Sequence, residues 1–123
     1  MKIQPMRNLE QIRAANALKY GQSGFNTRGN QGGNVLKKLP ALVMNNGLLA
    51  AGAFAYAQNR ESGWRTCFDH ISKHLADPQI RILPENIHDL DKLMTFLTTA
   101  DSQLLKIATE ESLAWLSYAR RFE

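Results

Sequence analysis

Cys67, His70 and His74 are the side chains in this sequence that best suit metal coordination. On a helix of 3.6 residues per turn, their spacing places them within about 60° on one flank. A zinc site needs further ligands, and the sequence places no fourth one beside them. Cys67 also fits a small apolar position next to Phe68 and Ile71. We therefore predict no metal site and no cofactor, and keep a metal-dependent hydrolase built on this trio as one alternative.

The carboxylates show no arrangement typical of catalysis. Asp89 with Asp91, and Glu110 with Glu111, are close neighbours on predicted helices, so their side chains diverge. Such groups act as partners of the helix dipole or as solvated charge rather than as a general acid and base. Residues 21–33 hold five glycines, but they lack the Lys-Ser/Thr ending of a phosphate-binding loop. We predict no catalytic residue, and the protein is not expected to be an enzyme.

Basic side chains carry the strongest functional signal. The first 65 residues have a net charge of +7 and the remainder −3, in agreement with +4 for the whole chain. Positioned cations bind RNA phosphates without reading the bases, and the signatures of the common RNA-binding modules are missing from the sequence. We predict RNA binding through the backbone by Arg28, Lys37, Lys38, Arg60, Arg65, Arg120 and Arg121. The first five are expected to be mostly exposed and to share one positive surface.

The chain has 123 residues, of which 44% are hydrophobic and 21% charged, which is typical of a globular protein. This length suits one core, so residues 1–123 are predicted to form a single helical domain with a flexible Gly-rich loop over residues 21–33. A single cysteine excludes an internal disulfide. The N-terminus lacks the apolar segment of a signal peptide, and Asn45-Asn46-Gly47 interrupts the longest apolar stretch. We expect a soluble, cytoplasmic protein that does not enter a membrane.

Helical periodicity runs through the sequence, with no convincing alternation of period two. Six helices are predicted, over residues 5–20, 35–46, 47–58, 62–75, 86–97 and 102–121. Pro40 is expected to kink or restart the second helix, and Asn86 to cap the fifth. The third helix is apolar almost all round, which predicts a central helix buried on every side. Short connections between these helices indicate an all-α bundle.

Two charged residues fall inside the apolar faces of the first and last predicted helices. Arg13 lies on the flank that carries Asn16 and Tyr20, and Glu111 lies in the stripe that carries Trp115. A charge in such a position is costly unless it meets an opposite charge, and the guanidinium fork suits a carboxylate. We therefore predict a structural pair of Arg13 and Glu111 that joins these two helices. The alternative is that both side chains reach solvent at the edges of their stripes.

The centre and the end of the chain resemble a known family. Residues Lys37-Lys38-Leu39-Pro40-Ala41-Leu42-Val43-Met44-Asn45-Asn46-Gly47-Leu48-Leu49, continuing into Ala53-Phe54-Ala55, are similar to the central motif of the small subunit of the type III-B CRISPR Cmr effector complex, the fifth Cmr protein. Residues 108–115 and Arg120-Arg121-Phe122 resemble the C-terminal signature of that family. The first helix, with Arg13-Ala14, is compatible with it.

That resemblance implies a fold, an activity and a set of partners. Members of the family are all-α and have no catalytic activity of their own, and several copies stack beside the subunits that hold the guide RNA. Together they form a basic groove for the guide RNA–target RNA duplex, while neighbouring subunits cleave the target in defence against foreign nucleic acid. The implied partners are the duplex backbone, the other Cmr effector subunits and further copies of the same chain.

Two other interpretations stay open. The small subunit of the type III-A (Csm) complex is a helical bundle that plays the same part. A helical adaptor that binds only protein would carry the basic half of the chain as incidental surface charge. Binding to unrelated RNA sequences across a salt series separates the adaptor from an RNA-binding subunit, because only the latter binds and then loses affinity steeply with salt.

Overall fold

A computed structural model of the chain describes residues 8–22, 34–59 and 62–122. These residues form five helices: α1 (Leu9–Gly21), α2 (Val35–Tyr56), α3 (Gly63–Leu75), α4 (Leu90–Leu97) and α5 (Ser102–Arg121). The described ranges contain no strand, which confirms the predicted all-α fold. Residues 23–33 of the predicted loop and the predicted helix start at residue 5 lie outside those ranges.

α2 bends at Gly47 into two arms, a first arm of residues 35–46 and a second arm of residues 48–56. Gly47 has φ = 85° and ψ = 166°, a backbone conformation that side chains with a Cβ rarely adopt. The amide of Leu48 donates a hydrogen bond to Thr109 Oγ1 at 3.1 Å, which satisfies one of the free amides that open the second arm. The two arms correspond to two of the six predicted helices, so the difference in helix number arises at this bend.

Side-chain caps determine where three of the helices begin. Asn8 and Gln11 form a capping box at α1, each side chain accepting a hydrogen bond from the other residue's amide. Asp101 caps α5. α4 begins after Asp89, which accepts a hydrogen bond from an amide of the first turn. The predicted cap at Asn86 is therefore wrong by three residues, because an aspartate closer to the apolar stripe serves as the acceptor.

α2 occupies the centre of the fold and packs against α3, α4 and α5, while α1 covers α3 and α5. Gly52 allows the close approach of α2 to α4, since a Cβ there would lie 2.7 Å from the Sδ of Met94. Burial of a large apolar side chain contributes about 1.5–3 kcal/mol. The largest fully buried apolar side chains are Leu36, Leu39, Leu48, Phe68, Ile71, Leu75, Leu90, Leu93, Leu97, Trp115 and Leu116.

The second arm of α2 is central but not enclosed. Leu48, Ala51 and Ala55 are fully buried, whereas Phe54 and Tyr56 are 45% and 50% exposed. The expectation of burial on every side is therefore wrong, because the neighbouring helices cover one side of the arm and leave an apolar strip open to solvent.

Among the described helices, α2 alone is long and apolar enough to cross a membrane, by length and composition. Its helical geometry is interrupted at Gly47, and three other helices pack against it. Both features are those of a core helix rather than of a continuous membrane span.

Candidate nucleic-acid interface

Lys37 and Lys38 lie in the first turns of α2 with exposed side chains, on the side opposite the buried residues Val35, Leu36 and Leu39. Neither lysine forms a side-chain hydrogen bond or an ion pair with the described part of the chain. The N-terminal end of a helix also carries a partial positive charge. Both cations are therefore available to an anion from solution.

Arg120 joins the end of α5 to the start of α2. Pro40 has no amide hydrogen, so the carbonyl of Leu36, four residues earlier, lacks its normal helical donor. The Nη1 of Arg120 donates to that carbonyl at 3.2 Å. One arginine expected to bind RNA therefore also satisfies a backbone acceptor that the proline leaves open, and it fixes two chain segments side by side.

The contact of Arg120 with Leu36 brings the last turn of α5, which carries Arg120 and Arg121, next to the first turns of α2, which carry Lys37 and Lys38. Arg121 is exposed, and its Cζ lies 5.7 Å from the centre of the Tyr118 ring. Its planar guanidinium keeps donors free while it rests on that aromatic face. We call this cluster the basic end; it consists of Lys37, Lys38, Arg120 and Arg121.

Arg65 is held by contacts within the protein. Its Cζ lies 4.7 Å from the ring centre of Tyr56, its Nη2 donates to the Tyr56 carbonyl at 3.3 Å, and its Nη1 lies 3.8 Å from a carboxylate oxygen of Asp91. The side chain is 13% exposed, so the expectation that it is mostly exposed is wrong. RNA contact by Arg65 stays a prediction. Arg28 and Arg60 lie outside the described residues.

An open groove of about 510 Å³ lies between the two arms of α2 and the start of α3. We call it the α2 groove. The rings of Phe54 and Trp64 meet edge to face in its lining, with centres 5.0 Å apart. Because Lys38 belongs to the lining, the groove opens beside the basic end. The residues that line it are Lys38, Ala41, Leu42, Asn45, Asn46, Phe54, Gln58 and Trp64.

Arg13 and Glu111, the two residues expected to pair, face each other across the contact of α1 with α5. The Nε and Nη2 of Arg13 donate to Oε2 and Oε1 of Glu111, both at 2.7 Å. The side chains are 21% and 8% exposed. Burial raises the pKa of Glu111, but hydrogen bonds from Arg13 and His74, together with the positive charge of Arg13, outweigh that effect and lower the pKa to about 2. Glu111 is therefore ionised at neutral pH.

His74 extends this pair into α3. Its Nε2 lies 2.9 Å from Oε2 of Glu111, and its Nδ1 lies 2.9 Å from Nδ2 of Asn16, which also donates to Asp77 at 3.0 Å. A carboxylate only accepts, so Asp77 orients the Asn16 amide; Nδ1 then accepts and Nε2–H donates. We call Arg13, Asn16, His74, Asp77 and Glu111 the polar network. It ties α1, α3 and α5 together.

Cys67, His70 and His74, the three residues that best suit metal coordination in the sequence, make packing or hydrogen-bond contacts within the protein. Cys67 is buried, and His74 belongs to the polar network. The ring of His70 packs edge-on against Tyr20 with centres 4.8 Å apart, and burial, together with the charge of Lys73, lowers the pKa of His70 to about 4. Within the described ranges, no group of three or more His, Cys, Asp or Glu side chains is placed to hold a metal ion.

Two features were missed from the sequence. The role of His74 had a detectable signal, because Asn16 lies on the apolar flank of α1 and His74 follows the apolar residue Ile71 by one turn of α3. Polar residues inside several apolar faces must meet one another in the core. The exposed ring of Phe54 had no such signal, because composition alone does not show which side of an apolar helix its neighbours cover.

Comparison with known families gives a match over nearly the whole chain. A family model described as "CRISPR-associated protein (Cas_Cmr5)" matches residues 9–123, which include all five helices, the basic end and the α2 groove. No match to a curated protein or to a solved structure was found.

Proposed function

The chain belongs to the CRISPR-associated Cas_Cmr5 family, the small subunit of the type III-B Cmr complex, and we propose that within this complex it holds the guide RNA–target RNA duplex. In this proposal several copies stack along the complex and present their basic ends to a shared groove. The subunit is non-catalytic, and neighbouring subunits hold the guide and cleave the target. It acts in the cytoplasm, in defence against foreign nucleic acid.

The basic end is the observation that supports this proposal most strongly. Lys37 and Lys38 are exposed and have no side-chain partner in the described chain, and Arg120, next to Arg121 at the end of α5, contacts the carbonyl of Leu36 directly before them. Duplex RNA is bound chiefly through its phosphates, its 2′-hydroxyls and its shape, because its major groove is too deep and narrow for side chains to read. A cluster of cations without a base-reading element suits that kind of recognition.

The polar network supports a non-catalytic role. Glu111 is ionised and accepts hydrogen bonds from Arg13 and His74, and both ring nitrogens of His74 are within hydrogen-bonding distance of protein partners. A general acid or base needs a position from which it can reach a proton of the substrate. These groups instead face one another between packed helices.

Binding of the full chain to RNA across a salt series tests the proposal. We expect RNA duplexes of unrelated sequence to bind with the same affinity within a few-fold. We assume that each of the four cations of the basic end neutralises one phosphate. Each neutralised phosphate contributes about −0.9 to the slope of log K against log[salt], so that slope is about −3 to −4. A DNA duplex of the same sequence serves as the control for binding to any polyanion, and it is expected to bind more weakly because its B-form groove differs in shape. A chain that binds no RNA at low salt contradicts the proposal and favours the protein-only adaptor.

A further inference from the structure

The α2 groove combines a cation, side-chain amides and an exposed aromatic ring in one open depression. Lys38, Asn45, Asn46, Phe54 and Gln58 all line it. Its volume of about 510 Å³ lies within the range of about 300–1,000 Å³ that is typical of sites for small ligands. This chemistry differs from that of the basic end, which offers charge alone.

The ring of Phe54 is placed as a stacking platform. It is 45% exposed, and its edge-to-face contact with Trp64, at 5.0 Å and 71° between the ring planes, orients it. Trp64 itself is 7% exposed, so the inner member of this aromatic pair is fixed in the core. Aromatic rings held in this way accept the faces of nucleobases in single-stranded RNA.

The amides around Phe54 provide hydrogen-bonding groups. Nδ2 of Asn46 donates to the carbonyl of Leu42 at 3.3 Å, and Nε2 of Gln58 donates to the carbonyl of Phe54 at 3.3 Å. A backbone carbonyl only accepts, so these contacts orient both amides and leave their side-chain oxygens open to an external donor. Exocyclic amino groups and ring N–H groups of nucleobases are donors of the required kind.

We propose that the α2 groove binds one unpaired nucleotide of RNA, with its base stacked on Phe54 and its phosphate at Lys38. The nucleotide must be unpaired, because neighbouring bases cover both faces of a base inside a duplex. This inference rests on the proposed function and deepens it. The basic end holds the paired backbone, while the adjoining groove takes a nucleotide that has left the duplex.

Three substitutions of Phe54 test this subsite in the full-length protein, with two probes: an oligouridine and a fully paired RNA duplex. We expect Phe54→Ala and Phe54→Leu to weaken oligouridine binding about tenfold, equivalent to about 1.4 kcal/mol, and to leave duplex binding unchanged. Phe54→Tyr keeps an aromatic face and is expected to bind like the wild type. Phe122→Ala is the matched control, since Phe122 is 38% exposed and does not line the groove.

Tryptophan fluorescence of the wild type provides a measurement that does not depend on the variants folding. Oligouridine is expected to quench Trp64, which lies against Phe54, whereas Trp115 is fully buried and lies outside the groove. A Trp64→Phe variant identifies the source of the signal. Absence of quenching at a saturating concentration of oligouridine would overturn the subsite.

The outcomes separate this inference from the proposed function. If wild-type protein binds the duplex but Phe54→Ala and Phe54→Leu bind oligouridine as tightly as the wild type, the subsite is wrong and the duplex-binding role stands. If those variants lose self-association and keep their RNA affinity, the groove is a contact between proteins, and the inference is again wrong. If the wild type binds neither RNA, both proposals fail.

Discussion

Replacing Glu111 with alanine is expected to lower the free energy of unfolding by about 3–5 kcal/mol. The substitution removes the acceptor of both Arg13 donors and of the His74 Nε2–H, and it leaves a guanidinium that is 21% exposed without its counter-charge. Denaturant unfolding measures the effect. Glu110→Ala is the matched control, because Glu110 is the exposed neighbour on the same helix, and surface changes of this kind usually cost less than about 0.5 kcal/mol.

Acid titration provides a second readout of the same contact. The pKa of Glu111 is about 2 in the folded protein against an ordinary value of 4.5, so pairing stabilises the fold above pH 4.5 and this contribution is lost as the pH falls towards 2. Glu111→Ala should lack that loss. The variant should still lose stability between pH 6.5 and about 4, because the pKa of His70 is lowered in the folded protein.

The comparison with the control decides whether the pair is buried. An unfolding free energy of Glu111→Ala within 1 kcal/mol of the Glu110→Ala value would show that the pair is not buried as described.

A double variant, Arg13→Leu with Glu111→Leu, is expected to recover only part of the loss. Replacement of both charges by apolar groups removes the stranded guanidinium, which accounts for most of the penalty. The Nε2–H of His74 still lacks its acceptor, and a buried unsatisfied donor costs about 1–3 kcal/mol. Recovery to the full wild-type free energy of unfolding would mean that His74 does not depend on Glu111.

Replacing Lys37 and Lys38 together with alanine is expected to weaken RNA duplex binding about 10- to 100-fold, equally for all sequences. Each lysine carries one charge that pairs with no side chain among the described residues, so the loss of both should reduce the magnitude of the salt slope by about 2. Their exposure predicts a change in unfolding free energy of less than about 0.5 kcal/mol. Filter binding or fluorescence anisotropy across a salt series measures the slope.

The matched control for that variant removes the same charge elsewhere. Lys73 and Lys106 are exposed residues on α3 and α5, and Lys106 lies fourteen positions before Arg120, about 20 Å along the helix at 1.5 Å per residue. The double variant Lys73→Ala with Lys106→Ala should therefore retain most of the affinity for the RNA duplex. Equal losses in the two double variants would mean that only total charge matters, and that the basic end is not the contact surface.

The helices follow from the sequence because their signals are local. The apolar stripe of α5 keeps one phase over residues 102–121, and glycine at position 47 predicts the bend that separates the two arms of α2. α4 begins three residues later than the sequence predicts, since Asn86 and Asp89 are both good caps and only the packed stripe decides between them.

Side-chain partners across the fold are less predictable from the sequence. In the sequence, Arg65 and Lys37 are both basic residues that are expected to be exposed. In the structure, Tyr56 and Asp91 hold Arg65 against the protein. Arg120 bonds to Leu36, an acceptor that exists only because of a proline in another helix. Such contacts depend on how helices dock, which the spacing within one helix does not contain.

Cross-linking of target RNA in the assembled Cmr complex tests most directly the claim that this subunit holds the duplex through its basic end. The target strand carries single backbone phosphorothioates linked to an aryl azide, so that photo-cross-links form beside the phosphates, and mass spectrometry assigns the cross-linked residues. We predict cross-links at Lys37, Lys38 and Arg120–Arg121, recurring at regular intervals along the duplex because the copies stack. Cross-links confined to other subunits, or to the side of this chain around Lys73, would contradict the account.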